Sequence, residues 1–164
     1  AHLGSKDGAF EAALSLGLDE VIAAIPEFQL QHGKQWLVAF SDYYLGQAHR
    51  DDLSCGCAMT TLSPEVVRTK PELHAIYENK MVAIIELMAL GLDGDSHDDC
   101  LSRAWTVLGI LIGGLTMARA VASVKTADKI AISIANAVIN IAGEVKEPLE
   151  SAPPPDLTHT PERR

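Results

Sequence analysis

The chain has 164 residues, of which 48% are hydrophobic and 5% aromatic, and its formal net charge is −9. This length and composition are typical of one globular domain with a sizeable core, and they exclude a largely disordered chain. The acidic balance argues against nucleic-acid binding by these residues alone, because phosphate contacts need a basic surface.

Apolar residues at helical spacing predict two helices in the first third of the chain. The first covers residues 7–25 and is expected to end at Pro26, because proline breaks a helix interior. The second covers about 31–48 and has an apolar stripe rich in aromatic residues.

Two further helices are predicted in the middle of the chain. One begins at Gly56 and reaches Arg68, with a restart or kink at Pro64. The next begins with Thr69-x-x-Glu72, a spacing typical of a capping box, and continues to about residue 90.

The last third predicts two long helices. Asp95 or Ser96 is expected to cap the first, which continues to about Val124, and Thr126 is expected to cap the second over 127–143. No segment alternates polar and apolar residues over a strand's length, so the sequence predicts an all-α helical bundle.

Charged residues are rare in these last two helices. Residues 101–143 contain four basic residues and a single acid, Asp128. The uncharged runs of 15 and 14 residues fall short of the ~20 needed to span a bilayer. We therefore expect core helices and no membrane partner.

Both helices carry apolar residues on two faces, and each face needs a partner. One face can cover the domain core, and the simplest partner for the other is a second copy of the chain, which predicts a homodimer with a four-helix interface. Gly109, Gly113 and Gly114 would allow close approach of a second backbone. A larger monomeric core is the alternative. The predicted interface residues are Leu108, Ile112, Leu115, Ile130, Ile134, Val138 and Ile141.

Bulky, adaptable side chains are concentrated around the middle of the chain and are typical of a pocket for a small apolar or aromatic ligand. Ordinary core packing is the alternative, and we expect about half of these residues to face a cavity. The predicted ligand-binding residues are Trp36, Phe40, Tyr43, Tyr44, Met59, Met81, Met88 and Trp105.

The sequence predicts no metal, cofactor or catalytic site. The segment that begins at Asp93 lacks the glycine and terminal glutamate of a calcium loop, and Cys55-x-Cys57 lacks a second pair for zinc. Three cysteines are too few for a disulfide framework, so we expect free thiols in a reducing compartment. No histidine stands near a nucleophile at a catalytic spacing.

Three segments stand in an informative order. His2–Phe10 reads HLGSKDGAF, Gly56–Leu62 follows an HRDD tetrapeptide at His49, and Leu111–Ala120 reads LIGGLTMARA. In this order they resemble the end of the recognition helix, the Gly-Cys-Pro-Leu region of AcrR-like regulatory domains and the dimer helix of tetracycline-repressor (TetR) family regulators. The resemblance covers about residues 1–143.

The resemblance implies a cytoplasmic, ligand-responsive transcriptional regulator, a repressor that binds operator DNA through a helix-turn-helix head. We expect a fragment in which most of that head is missing. Residues 1–6 would be its remnant, 7–144 the ligand-binding and dimerisation domain, and 145–164 a flexible tail. Lys6 would contact operator phosphate, and His2 would lie at the end of the recognition helix.

Two other interpretations remain open at this point. The first is a stand-alone dimeric helical protein that binds a ligand without binding DNA. The second is a small helical enzyme, which would require at least two of five residues to converge in one cleft. These five are His32, His49, His74, Cys57 and Cys100.

Overall fold

The computed structural model describes residues 6–52, 57–143 and 145–146, without the side chains of Lys6 and Asp7. These residues form a bundle of seven α-helices and contain no strand, which confirms the predicted all-α fold. The helices are α1 (Lys6–His32), α2 (Trp36–Leu45), α3 (Gln47–Asp51), α4 (Ala58–Val66), α5 (Pro71–Leu90), α6 (His97–Ala120) and α7 (Val124–Ala142).

The core forms where the long helices pack against one another. The most extensive helix pair is α6 with α7, followed by α1 with α5 and α5 with α6. Helix α1 contributes Leu14, Leu18 and Ile25, which recur at helical spacing and are fully buried. Helices α2 and α5 contribute most of the large buried side chains opposite them.

Helix α1 continues through Pro26 to His32, so the predicted end at Pro26 is wrong. Proline removes a backbone donor and crowds the preceding turn. Contacts beyond it hold the extra turns in place. Phe28 packs edge-on against Phe40 with ring centroids 5.4 Å apart, and Gln29 Nε2 donates a hydrogen bond to the carbonyl of Leu87 at 2.8 Å.

The single helix predicted over 31–48 is divided. Gly33 has a φ of +52°, which glycine adopts at little cost, and it begins a 3-10 turn over Gly33–Gln35. Gly46 has extended backbone, with a ψ of 156°, and separates α2 from α3. Each glycine therefore changes the chain direction inside what the apolar spacing alone presents as one helix.

In the middle of the chain, α4 runs through Pro64, and the predicted start at Gly56 lies outside the described residues. Helix α5 has Pro71 as its first residue, a position where the missing donor costs nothing. The predicted capping box is wrong, because the Thr69 hydroxyl donates to the carbonyl of Val66 at 2.6 Å. Lys70 occupies the cap position without a side-chain cap bond.

Ser96 caps α6 by accepting a hydrogen bond from the backbone of Asp99 at 3.1 Å, as predicted. The helix ends at Ala120 and not near residue 124. Ser123 caps α7 and accepts from the backbone of Thr126 at 3.4 Å, so the predicted cap at Thr126 is wrong. Thr126 lies inside the first turn instead.

Arg103 joins the beginning of α6 to the end of α7. Its guanidinium donates to the carbonyls of Ala142 and Asp93 and to the Asp99 carboxylate. Gly143 follows α7 with a φ of +66° and a ψ of −140°, a combination that glycine adopts at little cost. Arg103 therefore satisfies the carbonyl of Ala142, which α7 leaves unpaired at its end.

Helix α6 is the one helix among the described residues whose length and composition would allow it to cross a membrane. In its most apolar window, 39% of the residues are buried inside the bundle. Its first turn carries Asp98 and Asp99. A core helix of a soluble bundle has the same properties, and α6 packs against both α5 and α7 as such a helix does.

Candidate functional site

A groove of about 530 Å³ lies between α2 and α3 on one side and α7 on the other. We call it the α2–α7 groove. This volume is within the range of about 300–1,000 Å³ that is typical of small-molecule sites. Its lining residues are Ser41, Asp42, Leu45, Gly46, Gln47, Arg50, Asp128, Ala131, Ile132, Ala135 and Asn136.

The groove contains a buried arginine whose hydrogen-bonding capacity is only partly used. The Arg50 side chain is 7% exposed, and its Nη2 donates to Oδ1 of Asp128 at 2.5 Å. Its Nη1 is buried without a hydrogen-bond partner among the described residues, and so is Oγ of Ser41. Burying such groups unpaired is unfavourable, so both represent unused binding capacity at the same groove.

A second cavity of about 300 Å³ adjoins the first and shares Arg50 with it. Arg119 lines this cavity, and its Nη2 donates to the backbone carbonyls of His49 at 2.7 Å and Asp52 at 3.1 Å. Within the described part of the chain, its Nε has no partner. Two positive charges therefore lie close to the junction of α3, α6 and α7.

Tyr44 extends from α2 towards the beginning of α4. Its hydroxyl lies 3.0 Å from Sγ of Cys57 and 3.3 Å from Oγ1 of Thr60. Burial is the main cause that raises the pKa of Tyr44 well above its ordinary value, and Cys57 adds to the increase. Thr60 and Arg119 oppose it by a smaller amount. Tyr44 is therefore a neutral hydrogen-bonding group at physiological pH.

His49 packs against the rings of Tyr43 and Tyr44, with ring centroids 5.2 and 5.3 Å away. Its Nε2 is buried and has no partner in the residues that the structure describes. Burial lowers the pKa of His49 from its ordinary value of 6.5, and the charge of Arg119 lowers it further, while Asp52 opposes the shift. The imidazole is therefore held in its neutral form.

The structure thus brings two of the five residues of the enzyme hypothesis to one ring, since His49 and Cys57 both contact Tyr44. His74 is exposed on α5. Cys100 lies near the beginning of α6, and its Sγ donates to the carbonyl of Leu92 in the segment before that helix. No group of three His, Cys, Asp or Glu side chains that could hold a metal occurs among the described residues.

The predicted ligand-binding residues separate into two groups. Trp36, Phe40 and Tyr44 form a continuous ring cluster in the core, with successive centroids 6.5 and 5.7 Å apart. Met59, Met81 and Met88 are buried in the same core, whereas Tyr43 and Trp105 are exposed on the surface. None of the eight lines the α2–α7 groove. Ligand contact by these residues stays a prediction.

The predicted interface residues are also divided. Leu108, Leu115 and Val138 are buried inside the protomer, so they are not on the surface that a second copy would contact, which corrects the prediction for these three. Leu108 and Leu115 lie on α6 and Val138 lies on α7, the two helices that pack most extensively against each other. The other four are half-buried, and their role in an interface stays a prediction; they are Ile112, Ile130, Ile134 and Ile141.

The exposed face of α6 is the opposite one. Trp105 is 47% exposed and Met117 is 50% exposed. A Cβ atom added at Gly109 or Gly113 would meet nothing within 4 Å, whereas one added at Gly114 would meet Ile134 at 2.8 Å. Gly109 and Gly113 therefore face outwards, and Gly114 is the point where α7 crosses α6.

Of the predicted DNA-binding residues, His2 lies outside the described residues. Lys6 is the first residue of α1, and its side chain is outside the description. DNA contact by both stays a prediction. Sequence reasoning missed Ser41 and Arg50 as site residues. The one signal for Arg50 was Asp128, the single acid among residues 101–143, which requires a basic partner if it lies against the bundle.

No protein-family model matches the chain, and no curated protein matches its sequence. The TetR resemblance therefore depends on the three segments quoted above.

Proposed function

We propose that the chain is the ligand-binding and dimerisation domain of a TetR-like transcriptional repressor that acts in the cytoplasm. The observation that carries this proposal is the uncharged, exposed face of α6, which has no partner among the residues that the structure describes. An exposed apolar face on a bundle is typical of a protein–protein interface. The resemblance of Leu111–Ala120 to a TetR dimer helix falls on this same helix.

The exposed face of α6 has the composition expected of a helix–helix contact. Trp105 and Met117 supply apolar area at either end, and Gly109 and Gly113 leave open space between them. Small residues let two helices approach closely, and no charged side chain lies between Arg103 and Arg119 to oppose the contact. A second copy related by a two-fold axis would cover this face.

The effector and DNA parts of the proposal come from the TetR resemblance, and two features support them. The α2–α7 groove leaves room for a small molecule beside the proposed dimer helices. Helix α1, which begins at Lys6, packs against α2, α4 and α5, so a shift of α2 on ligand binding would move α1. Such a shift would change the spacing of two DNA-reading heads in a dimer. We assign no catalytic residue.

The dimer is tested by sedimentation of the chain and of two matched variants. Gly113→Glu places a charge on the open face of α6, and Val82→Glu places one at an exposed apolar position on α5. We expect the unaltered chain and Val82→Glu to sediment as dimers and Gly113→Glu as a monomer with unchanged helix content. An unaltered chain that stays monomeric at every concentration, or a dimeric Gly113→Glu variant, would contradict the proposed interface.

The regulatory role is tested with the protein as its gene encodes it. Immobilised protein is mixed with genomic DNA fragments, and we expect it to retain a two-fold symmetric sequence and to release it when decanol or indole is added. A dimer that retains no DNA sequence would favour the alternative, a stand-alone helical ligand-binding protein. Retention that no ligand changes would contradict the effector part of the proposal.

A further inference from the structure

We propose that the α2–α7 groove binds an amphipathic carboxylate, with its carboxylate on Arg50 and Ser41 and its apolar body along α7. This inference names the ligand class of the proposed function and rests on its ligand-binding part.

The groove contains two buried polar groups that can donate hydrogen bonds. Arg50 Nη1 is a charged donor, and the Ser41 hydroxyl can donate as well; neither has a partner among the described residues. A carboxylate supplies two acceptor oxygens and a negative charge, and it forms strong, charge-assisted hydrogen bonds with guanidinium groups. A neutral acceptor would form a weaker hydrogen bond with Arg50, and a cationic ligand would be repelled by it.

Asp128 holds the Arg50 side chain in place but accepts a hydrogen bond from only one of its two terminal nitrogens. The 2.5 Å ion pair uses Nη2 and holds the guanidinium between α3 and α7, and the Asp128 side chain is itself 53% exposed. Asp42 also lines the groove, but it lies in an exposed position where water screens its charge. Arg119 and Asp51 both line the adjoining cavity, so their charges offset each other. The buried charge of the groove is Arg50, and its unpaired Nη1 favours an anion.

The groove is also lined by apolar residues. Leu45 on α2 and Ala131, Ile132 and Ala135 on α7 line it. Ile132 is 63% exposed, which is unusual for isoleucine and leaves its side chain free to cover an apolar ligand. The proposed ligand therefore combines one carboxylate with an alkyl chain or aromatic ring.

The test is calorimetric titration of the chain with three probes that share one alkyl chain. Decanoate carries the carboxylate, decanol is neutral, and decyltrimethylammonium is cationic; all are used below their micelle concentrations. We expect one decanoate to bind per chain, with an affinity about ten-fold or more above that of decanol, since a charge-assisted hydrogen bond is lost with the alcohol. Decyltrimethylammonium should bind most weakly.

Two variants test the proposed contacts of the ligand carboxylate with Arg50 and Ser41. Arg50→Met replaces the buried guanidinium by an apolar side chain and leaves Asp128 without its ion-pair partner; because the Asp128 side chain is 53% exposed, water can solvate it. It should reduce decanoate affinity to that of decanol. Ser41→Ala removes a hydroxyl that has no partner in the described structure, so folding should be retained even if Arg50→Met fails to fold. We expect it to weaken decanoate by about two- to ten-fold and to leave decanol unchanged.

Two variants on α7 test the position. Ile132→Glu places a charge in the groove wall and should abolish decanoate binding. Ile139→Glu lies two turns further along the helix, in a separate cavity of about 420 Å³ that also contains Lys34, and should leave decanoate binding unchanged. If Ile139→Glu weakens decanoate and Ile132→Glu does not, the ligand occupies the other cavity and the proposal is overturned.

The remaining outcomes distinguish this inference from the proposed function. Equal affinity for decanoate and decanol would overturn the carboxylate class while supporting an apolar effector. Unchanged decanoate binding by Ser41→Ala and by folded Arg50→Met would overturn the proposed carboxylate contacts. Absence of binding by every probe would overturn the inference, and the dimer and DNA experiments would still decide the proposed function separately.

Discussion

Gly113 and Gly114 are neighbours in α6 whose replacement by alanine should have opposite effects on stability. In a helix interior, alanine is more favourable than glycine by about 1 kcal/mol. At Gly113 an added Cβ would meet nothing within 4 Å, so Gly113→Ala should stabilise the protomer by about this amount. The substitution adds one methyl group and no contact.

At Gly114 the same methyl group would be 2.8 Å from both Cγ1 and Cγ2 of Ile134 and 3.1 Å from its Cβ. Overpacking of this kind costs about 1–3 kcal/mol, because α6 and α7 must separate or Ile134 must leave its rotamer. After the helix-propensity gain of about 1 kcal/mol, Gly114→Ala should change stability by between about 0 and −2 kcal/mol. The two variants should therefore differ by about 1–3 kcal/mol.

The assay is urea unfolding followed by far-UV circular dichroism, at a concentration where sedimentation shows the chain and both variants as monomers. The urea dependence of the unfolding free energy should be the same for all three proteins, since each exposes the same surface. Equal stabilisation by the two substitutions would refute the close crossing of α6 and α7 at Gly114. Destabilisation by Gly113→Ala would refute the open outer face of α6.

Three further predictions concern a helix cap, a titrating side chain and an ion pair. Ser123→Ala should destabilise the chain by about 1 kcal/mol in urea unfolding, whereas Thr126→Ala should have a much smaller effect, because Ser123 is the residue that caps α7. A larger effect at Thr126 would reverse the assignment. Folding lowers the pKa of His49, so the unfolded chain takes up a proton at a higher pH than the folded chain does. Protonation of His49 therefore leaves the free energy of unfolding unchanged above pH 6.5 and reduces it as the pH falls below 6.5. His49→Gln should reduce this loss in thermal unfolding measured over the acidic range, and an unchanged pH profile would contradict the shift. Lys80→Met removes a 2.5 Å ion pair with Asp19 and should cost no more than about 1 kcal/mol, an effect that added salt diminishes; a large, salt-independent loss would contradict a surface pair.

The existence and order of the long helices could be predicted because apolar residues repeat with helical spacing. The same spacing could not predict where helices end when distant contacts intervene. Pro26 is a local signal for a helix end, yet Phe28 and Gln29 bind residues far away in sequence and extend α1 beyond it. The Thr69 capping spacing failed for a similar reason, since its hydroxyl bonds the preceding turn.

The site was the least predictable part. Aromatic and methionine residues were the expected ligand contacts, but such side chains fill cores as readily as cavities, and most of them are buried in close packing. Ser41 and Arg50 occur in short polar stretches that look like ordinary helix surface. Only their position opposite α7 leaves their polar atoms buried and unpaired.

Periodicity and composition along single segments are enough to predict the all-α class, the order of α1, α5, α6 and α7 and the scarcity of charge in the last two helices. They do not predict which face of α6 meets α7, since both faces are apolar and periodicity does not distinguish them. The contact of Gly114 with Ile134 settles that choice and leaves Trp105 and Gly113 outside. Tertiary packing also determines that Asp128 pairs with Arg50, because an ion pair across 78 positions depends on how the helices pack.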